Sequence, residues 1–172
     1  MKINYIRIRR KVGVNSVFIS EAGVGKSSVH GCNQNGPGVY FRIFKDYAQM
    51  FKAVEECMHH FNAHTKNKLF TVFEDANSNS KRNNQALKAM TTESVKHLTS
   101  KGKDTIKVHD NSMNIFHSNV ASCLEIEEND RRFAMHSCDN RFSQGSVERG
   151  LVDKEYVGKY NKRLASLQND KF

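Results

Sequence analysis

The feature that most constrains this chain is a short apolar run that ends in a glycine-rich loop. Val17–Ser20 is followed by Glu21, Ala22, Gly23, Val24, Gly25, Lys26, Ser27 and Ser28. Four residues of that kind, bounded by turn formers, read as a buried strand. Gly23 and Gly25 permit the backbone angles at which successive N–H groups turn toward one point. The loop follows the pattern GxxxxGK[ST], with Ser20 standing where the first glycine would be. A strand, a loop and a helix in that order commit the chain to a buried strand whose carboxyl end opens on the loop.

The residue types suit a triphosphate. Backbone N–H groups from Gly23, Val24, Gly25, Lys26, Ser27 and Ser28 would cradle the phosphates of ATP. Lys26 would bring a mobile positive charge to the β and γ phosphates, and the Ser27 hydroxyl would ligate Mg2+. A helix opening at the loop would add its dipole. Gly31, Gly36, Pro37 and Gly38 follow closely, so that helix is expected to be short.

Other apolar runs read as strands at Val39–Phe44, Leu69–Phe73, Asn114–His117 and Phe133–Ser137. Apolar residues recur every three or four positions in Lys45–His64, at Tyr47, Phe51, Val54, Met58 and Phe61, which predicts a helix with one buried stripe. Weaker periodicity predicts a helix over Asn83–Leu98, and a clearer one over Asp153–Gln168. Strands alternating with helices indicate an α/β layer fold with a largely parallel sheet and flanking helices. At 172 residues the chain is expected to form a single domain over 1–172. Its first 15 residues form a basic arm or an edge strand, and 138–172 a C-terminal helical extension.

The net charge of +9 speaks to partners rather than to fold, and a phosphate backbone is the acidic partner that best rewards clustered Lys and Arg. Cys32, Cys57, Cys123 and Cys138 form no CxxC pair, which argues against a disulfide framework and a thiolate zinc site and for a reduced cytosolic or nuclear compartment. His60 and His64 lie four apart but lack an evident third metal ligand, so they are expected to be surface histidines. Met1–Lys11 is charged with no apolar run after it, so no secretory leader is expected. No window approaches the ~18–20 apolar residues of a membrane span. A soluble protein is expected.

Leu69–Phe73 runs directly into Glu74 and Asp75. An acid pair at a strand end, after a phosphate loop, suits ATP hydrolysis: Glu74 would help hold Mg2+ and Asp75 would polarise the attacking water. Asn114–His117 ends in Ser118 and Asn119, and an asparagine at a strand tip can bond both the γ-phosphate and the lytic water. Arg131 and Arg132 follow an acidic stretch. One of them would neutralise charge that develops during phosphoryl transfer, while the other can be a surface ion pair with Glu127, Glu128 or Asp130.

Together, HFNAHTKNKLFTVFEDAN, LKAMTTESVKHLTSKGKD, NIFHSN and ENDRRF resemble the core of the superfamily 3 helicases, most of all the primase–helicases of large DNA viruses and phages. The resemblance runs from about Ser16 to Ser137, the motor core of 16–137. It implies a P-loop NTPase of AAA+-like architecture, a homo-oligomeric ring (a hexamer in the family), translocation on single-stranded DNA and replication proteins as partners, in host cytoplasm or nucleus. On that resemblance Lys26 and Ser27 belong to the Walker A loop, Glu74 and Asp75 to Walker B, Asn119 to the motif C sensor, and Arg131 or Arg132 to the arginine finger. The family's acid pair usually runs Asp–Glu, so the order Glu74–Asp75 leaves the identity of the base open. The family also places a hairpin before the sensor strand that grips the DNA backbone. Here Lys101, Lys103, Lys107 and His109 surround a turn at Gly102, within an interval (Lys81–Asp110) that holds seven Lys or Arg and three Asp or Glu. The expected function is an ATP-hydrolysing DNA helicase motor in viral or phage replication. The rivals are a non-catalytic nucleic-acid-binding remnant and a P-loop kinase for a small metabolite, which lacks a visible arginine-rich lid.

Overall fold

Three phenylalanines, one on each of three neighbouring strands, stack across the sheet and organise it. The computed structural model describes residues 11, 13–30, 32–33, 36–37, 43–57, 62–76, 81–120, 124, 126–127, 129–143, 147–150 and 152–169. Strands β1 (Asn15–Ile19), β4 (Ala48–Ala53), β5 (Phe70–Asp75), β8 (Met113–Ser118) and β9 (Phe133–Ser137) form a five-stranded sheet in the order β4-β5-β8-β1-β9. Every neighbouring pair in it is parallel. Parallel register sets Phe51, Phe73, Phe116 and Val17 side by side. The Phe51 and Phe73 ring centroids lie 5.6 Å apart and those of Phe73 and Phe116 4.8 Å, both nearly coplanar in tilt. Face-on aromatic neighbours of this kind add to the burial free energy of each ring.

Parallel strands need crossovers, and these place helices on the sheet faces. The phenylalanine face is covered by Val54 of the short helix α2 (Val54–Cys57) and by Leu87 and Met90 of α3 (Lys81–Thr92), with Ala76 and Leu124 completing the core. The opposite face carries Phe18, against which His30 packs at the end of α1 (Lys26–Val29). The C-terminal helix α4 (Lys154–Asn169) lies against α1 and opens with the Asp153 carboxylate accepting the Glu155 N–H at 2.6 Å. Two small antiparallel ribbons complete the described fold: β2 (Cys32–Asn33) with β3 (Gly36–Pro37), and β6 (Val95–Leu98) with β7 (Ile106–His109). Among the described residues no helix is long and apolar enough to cross a membrane.

Four of the five expected strands recur within one or two residues of their expected bounds, and α4 matches the helix expected over Asp153–Gln168. The post-loop helix is short, four residues. At that length it supplies little of the dipole a long helix would aim at an anion.

The helix expected over Lys45–His64 is overturned. Lys45–Tyr47 is a 3-10 turn, Ala48–Ala53 is the edge strand β4, and among the described residues of that span only Val54–Cys57 is α-helix. Phe51 and Val54 are both buried, but they reach the same core from a strand and from the helix after it, which mimics a helical stripe. Pairing with β5 in a register that stacks Phe51 on Phe73 outweighs the local period. The expected strand at Val39–Phe44 also fails where it is described: Ile43 and Phe44 lie in a helical turn. Asn83–Leu98 splits: the helix ends at Thr92, and Val95–Leu98 becomes β6. Consecutive Thr91 and Thr92 weaken the helix end, and both hydroxyls donate to the Lys88 carbonyl. Residues 1–10 of the basic arm, 39–42, Met58, His59, His60 and Phe61 lie outside the described residues.

Candidate active site at the carboxyl edge of the sheet

All five parallel strands end on the same edge, and the loop Ser20–Gly25 leaves β1 there. Gly23 and Gly25 have φ of 84° and 94°, the left-handed region in which a side chain would be strained, so the glycines are required by the loop's shape. Val24 between them is buried and pins the loop to the body. Ser20 is also buried, and its N–H donates to the Ser118 carbonyl at 3.2 Å, extending the β1–β8 pairing into the loop. Ser27 is half-buried in the first turn of α1, while the Ser28 side chain lies outside the described residues.

The Lys26 ammonium turns back into this loop. It donates to the Ser20 carbonyl (3.0 Å), the Ser20 hydroxyl (2.6 Å), the Glu21 carbonyl (3.1 Å) and the Asn119 side-chain oxygen (3.1 Å). Burial lowers its pKa, an effect that Cys138 opposes. Asn119 follows β8, the strand next to β1, so it meets Lys26 across two adjacent strand ends. The exposed Asn119 is held by the turn beneath it, because the buried Ser118 hydroxyl accepts the Val120 N–H at 3.0 Å.

Glu74 and Asp75 close β5, on the far side of β8 from the loop. The strand continues through both acids, two residues beyond its apolar run, and the Ala76 N–H donates to the His117 carbonyl at 3.0 Å. Side chains alternate along a strand. Val72 pairs with Ile115 and Phe73 with Phe116, so the register places Glu74 on the α1 side of the sheet and Asp75 on the phenylalanine side.

Arg131 and Arg132 sit at the opposite edge. They precede β9, whose five pairs with β1 run from Asn15↔Phe133 to Ile19↔Ser137. At roughly 3.3 Å per residue the two ends are about 13 Å apart. Arg132 is committed to Asp130 through a bidentate pair, 2.7 Å from Nε and 2.6 Å from Nη2. That pair holds the Asp130 carboxyl below its usual range. Arg131 is exposed.

The hairpin β6–β7 also rises from that opposite edge, three residues before β8 begins. Its tip turns at Gly102 (φ 71°), with the Lys103 N–H donating to the Ser100 carbonyl at 3.1 Å. Lys101, Lys103, Lys107 and His109 are all exposed along it. The hairpin's base is fixed by Asp110, which is almost fully buried. It accepts from Lys11 (2.6 Å), Lys96 (2.8 Å) and the Ser112 hydroxyl (2.7 Å). Burial opposes the Asp110 charge, but these donors outweigh it and lower the pKa. Lys11, within the stretch expected as a basic arm or an edge strand, has its side chain buried in this pair and also donates to the Met90 carbonyl.

Two groups of residues near the loop escaped sequence reasoning. His30 Nδ1 and His117 Nε2 lie 3.2 Å apart near the loop, and His117 Nδ1 is buried with no hydrogen-bond partner among the described residues. Burial lowers the pKa of His30 to about 4 and, with the charges of His30 and Lys26, that of His117 to about 3. A histidine closing an apolar strand was the available signal for His117. The other group is Asn140, Ser143 and Arg149, which gather on Glu21 of the loop; no local pattern marks them. His64 is exposed beside Phe51, and no group of three His, Cys, Asp or Glu side chains that could hold a metal ion occurs among the described residues.

Comparison with known proteins gives a family and a fold. A family model described as a family of unknown function (DUF5906) matches residues 18–132. No curated protein matches. Solved structures of the NrS-1 C-terminal region share the fold. The A-form apo structure aligns with a TM-score of 0.67 at 19% identity, over 92% of this chain and 36% of that one. A further apo structure gives 0.66 at 19% identity, over 94% and 38%. The chain therefore spans little more than a third of the length of these structures.

Proposed function

The chain belongs to the DUF5906 family, a family of unknown function, and on that premise we propose that it is a P-loop ATPase domain that serves as a DNA helicase motor in replication. The observation that carries this reading is the meeting of Lys26 with Asn119 across the ends of β1 and β8. Those two residues lie 93 positions apart, and both belong to motifs of the helicase-like set.

The residues present suit a magnesium-bound triphosphate. Two left-handed glycines shape a loop around an ammonium group that is anchored on loop carbonyls and aimed at the adjacent strand tip. Ser27 and Glu74 would hold the metal, which supplies charge neutralisation on the phosphate oxygens. Glu74 lies on the α1 side of the sheet by register, which favours it over Asp75 for that task. Asp75 would then orient and deprotonate the attacking water, and Asn119 would fix that water and the γ-phosphate. This division would account for the acid order Glu–Asp.

Among the described residues Arg131 has no ion-pair partner while Arg132 is held by Asp130 through two hydrogen bonds, so Arg131 would be the arginine that acts on a phosphate. Standing at the edge away from its own loop, Arg131 would serve a neighbouring subunit, which requires a ring. Single-stranded DNA would lie along Lys101, Lys103, Lys107 and His109, as a sequence-independent phosphate contact. Strand β8 joins the two ends of the device: the hairpin enters it at Met113, and Asn119 leaves it. A push on the hairpin would therefore be transmitted along a buried six-residue rod to the ATP site.

The test is ATP hydrolysis with and without single-stranded DNA, in wild type and Lys26→Ala. DNA-stimulated turnover that Lys26→Ala abolishes supports the motor. DNA binding without turnover in either protein would replace it with the binding remnant.

A further inference from the structure

Glu21, the second residue of the loop, is bound on three sides by one stretch of the C-terminal segment. Its N–H donates to the Asn140 side-chain oxygen at 3.0 Å. Its carboxylate accepts from the fully buried Ser143 hydroxyl at 2.9 Å and from Arg149 Nη2 at 2.9 and 3.1 Å. The Ser143 hydrogen bond and then Arg149 hold its pKa below the usual carboxylate range. The Glu21 carbonyl, in turn, accepts from Lys26. One residue thus joins the loop's lysine to three side chains that lie about 120 positions later in the chain.

We propose that Asn140, Ser143 and Arg149 form a clamp on Glu21 that positions Lys26 for turnover. All three are positioning residues, because each acts on Glu21 and through it on Lys26. The inference rests on the ATPase reading given above.

The stretch that holds the clamp is itself braced. The Cys138 N–H extends the β9–β1 pairing to the Ile19 carbonyl (2.8 Å), and Asp139 caps the 3-10 turn Asn140–Phe142 by accepting the Arg141 N–H at 2.9 Å. The Ser143 N–H closes that turn on the Asn140 carbonyl at 3.0 Å. Asn140 and Ser143 are therefore rigid points. Arg149, half-exposed and six residues beyond Ser143, is the adjustable one. After it the chain enters α4, which lies against α1, the helix that opens at Lys26.

An exposed ion pair adds little stability, so Arg149 is not needed to hold the fold. Its effect should fall on geometry. Arg149→Ala and Glu21→Gln should each lower kcat on the order of tenfold and move KM for ATP less than about twofold, as misplacement of a catalytic group does. Combining them should cost no more than the worse single change, because both remove one linkage. Arg149→Lys should recover part of kcat.

Amide hydrogen exchange of residues 21–27 in nucleotide-free protein gives a second readout that needs no ATP. The clamp predicts faster exchange there in Arg149→Ala and Glu21→Gln, with exchange in β5 and β8 unchanged. Unaltered loop exchange in both variants overturns the clamp. Wild type that fails to bind ATP overturns the ATPase reading instead, and the exchange result still decides the clamp.

Discussion

Lowering the pH from 7.5 to 5 should remove about 4 kcal/mol of folding stability through one pair of side chains. His30 and His117 are both buried and hydrogen-bonded to each other, with pKa values of about 4 and about 3. In the unfolded chain each returns to about 6.5. Between those values the unfolded state binds protons that the folded state refuses, so stability is complete above pH 6.5 and falls as the pH drops below it. From pH 7.5 to pH 5 each histidine contributes about 1.5 pH units of linkage, or about 2 kcal/mol. Carboxylates with lowered pKa, such as Asp110 and Asp130, lose their contributions only at still lower pH. The assay is urea unfolding at half-unit steps of pH, with stability from linear extrapolation. His117→Gln removes one titration and should roughly halve the fall. A flat profile between pH 7.5 and 5 would refute the neutral, buried pair.

Asp110→Ala leaves the Lys11 ammonium buried without its carboxylate, and should destabilise by about 3–5 kcal/mol on chemical denaturation. Phe73→Ala, at the centre of the stacked row, should cost about 3–5 kcal/mol in the same assay. Replacing Lys101, Lys103 and Lys107 by alanine should reduce the salt dependence of single-strand binding by about two units of log–log slope, at ~0.7 per phosphate, and leave ATP binding unchanged. Arg131→Ala protein mixed into wild type should depress turnover beyond simple dilution, whereas Arg132→Ala should act through stability alone. Equal behaviour of the two variants in mixing experiments would contradict that assignment.

The parallel sheet was legible because its central strands are buried on both faces and read as unbroken apolar runs. Leu69–Phe73 and Asn114–His117 are of this kind, and each lies within two residues of an observed strand. Strand β4 was not legible. It lies at the sheet's edge, exposes Lys52 and Tyr47 beside it, and keeps only Ala48 and Phe51 buried, so its pattern fits a helix as well as a strand. The hairpin's first strand was hidden inside a helical window for a similar reason: Val95 and Leu98 are three apart in either conformation. In the candidate site, the placement of the loop, the acids and Asn119 at strand ends was legible because each comes at the end of an apolar run in sequence. The Glu21 clamp, the histidine pair and the Lys11–Asp110 pair join residues that sequence separates by 87 to 128 positions. Such contacts are created by the sheet's strand order, which no local pattern encodes.

The most direct test of the motor reading is the rate of ATP hydrolysis at saturating ATP, measured with and without single-stranded DNA in wild type, Asn119→Ala and the hairpin triple-lysine variant. Coupling along β8 predicts that DNA accelerates wild type, that Asn119→Ala loses turnover in both conditions, and that the hairpin variant keeps its basal rate and loses the acceleration. A basal rate that DNA leaves unchanged, or an Asn119→Ala protein that hydrolyses ATP like wild type, would contradict it.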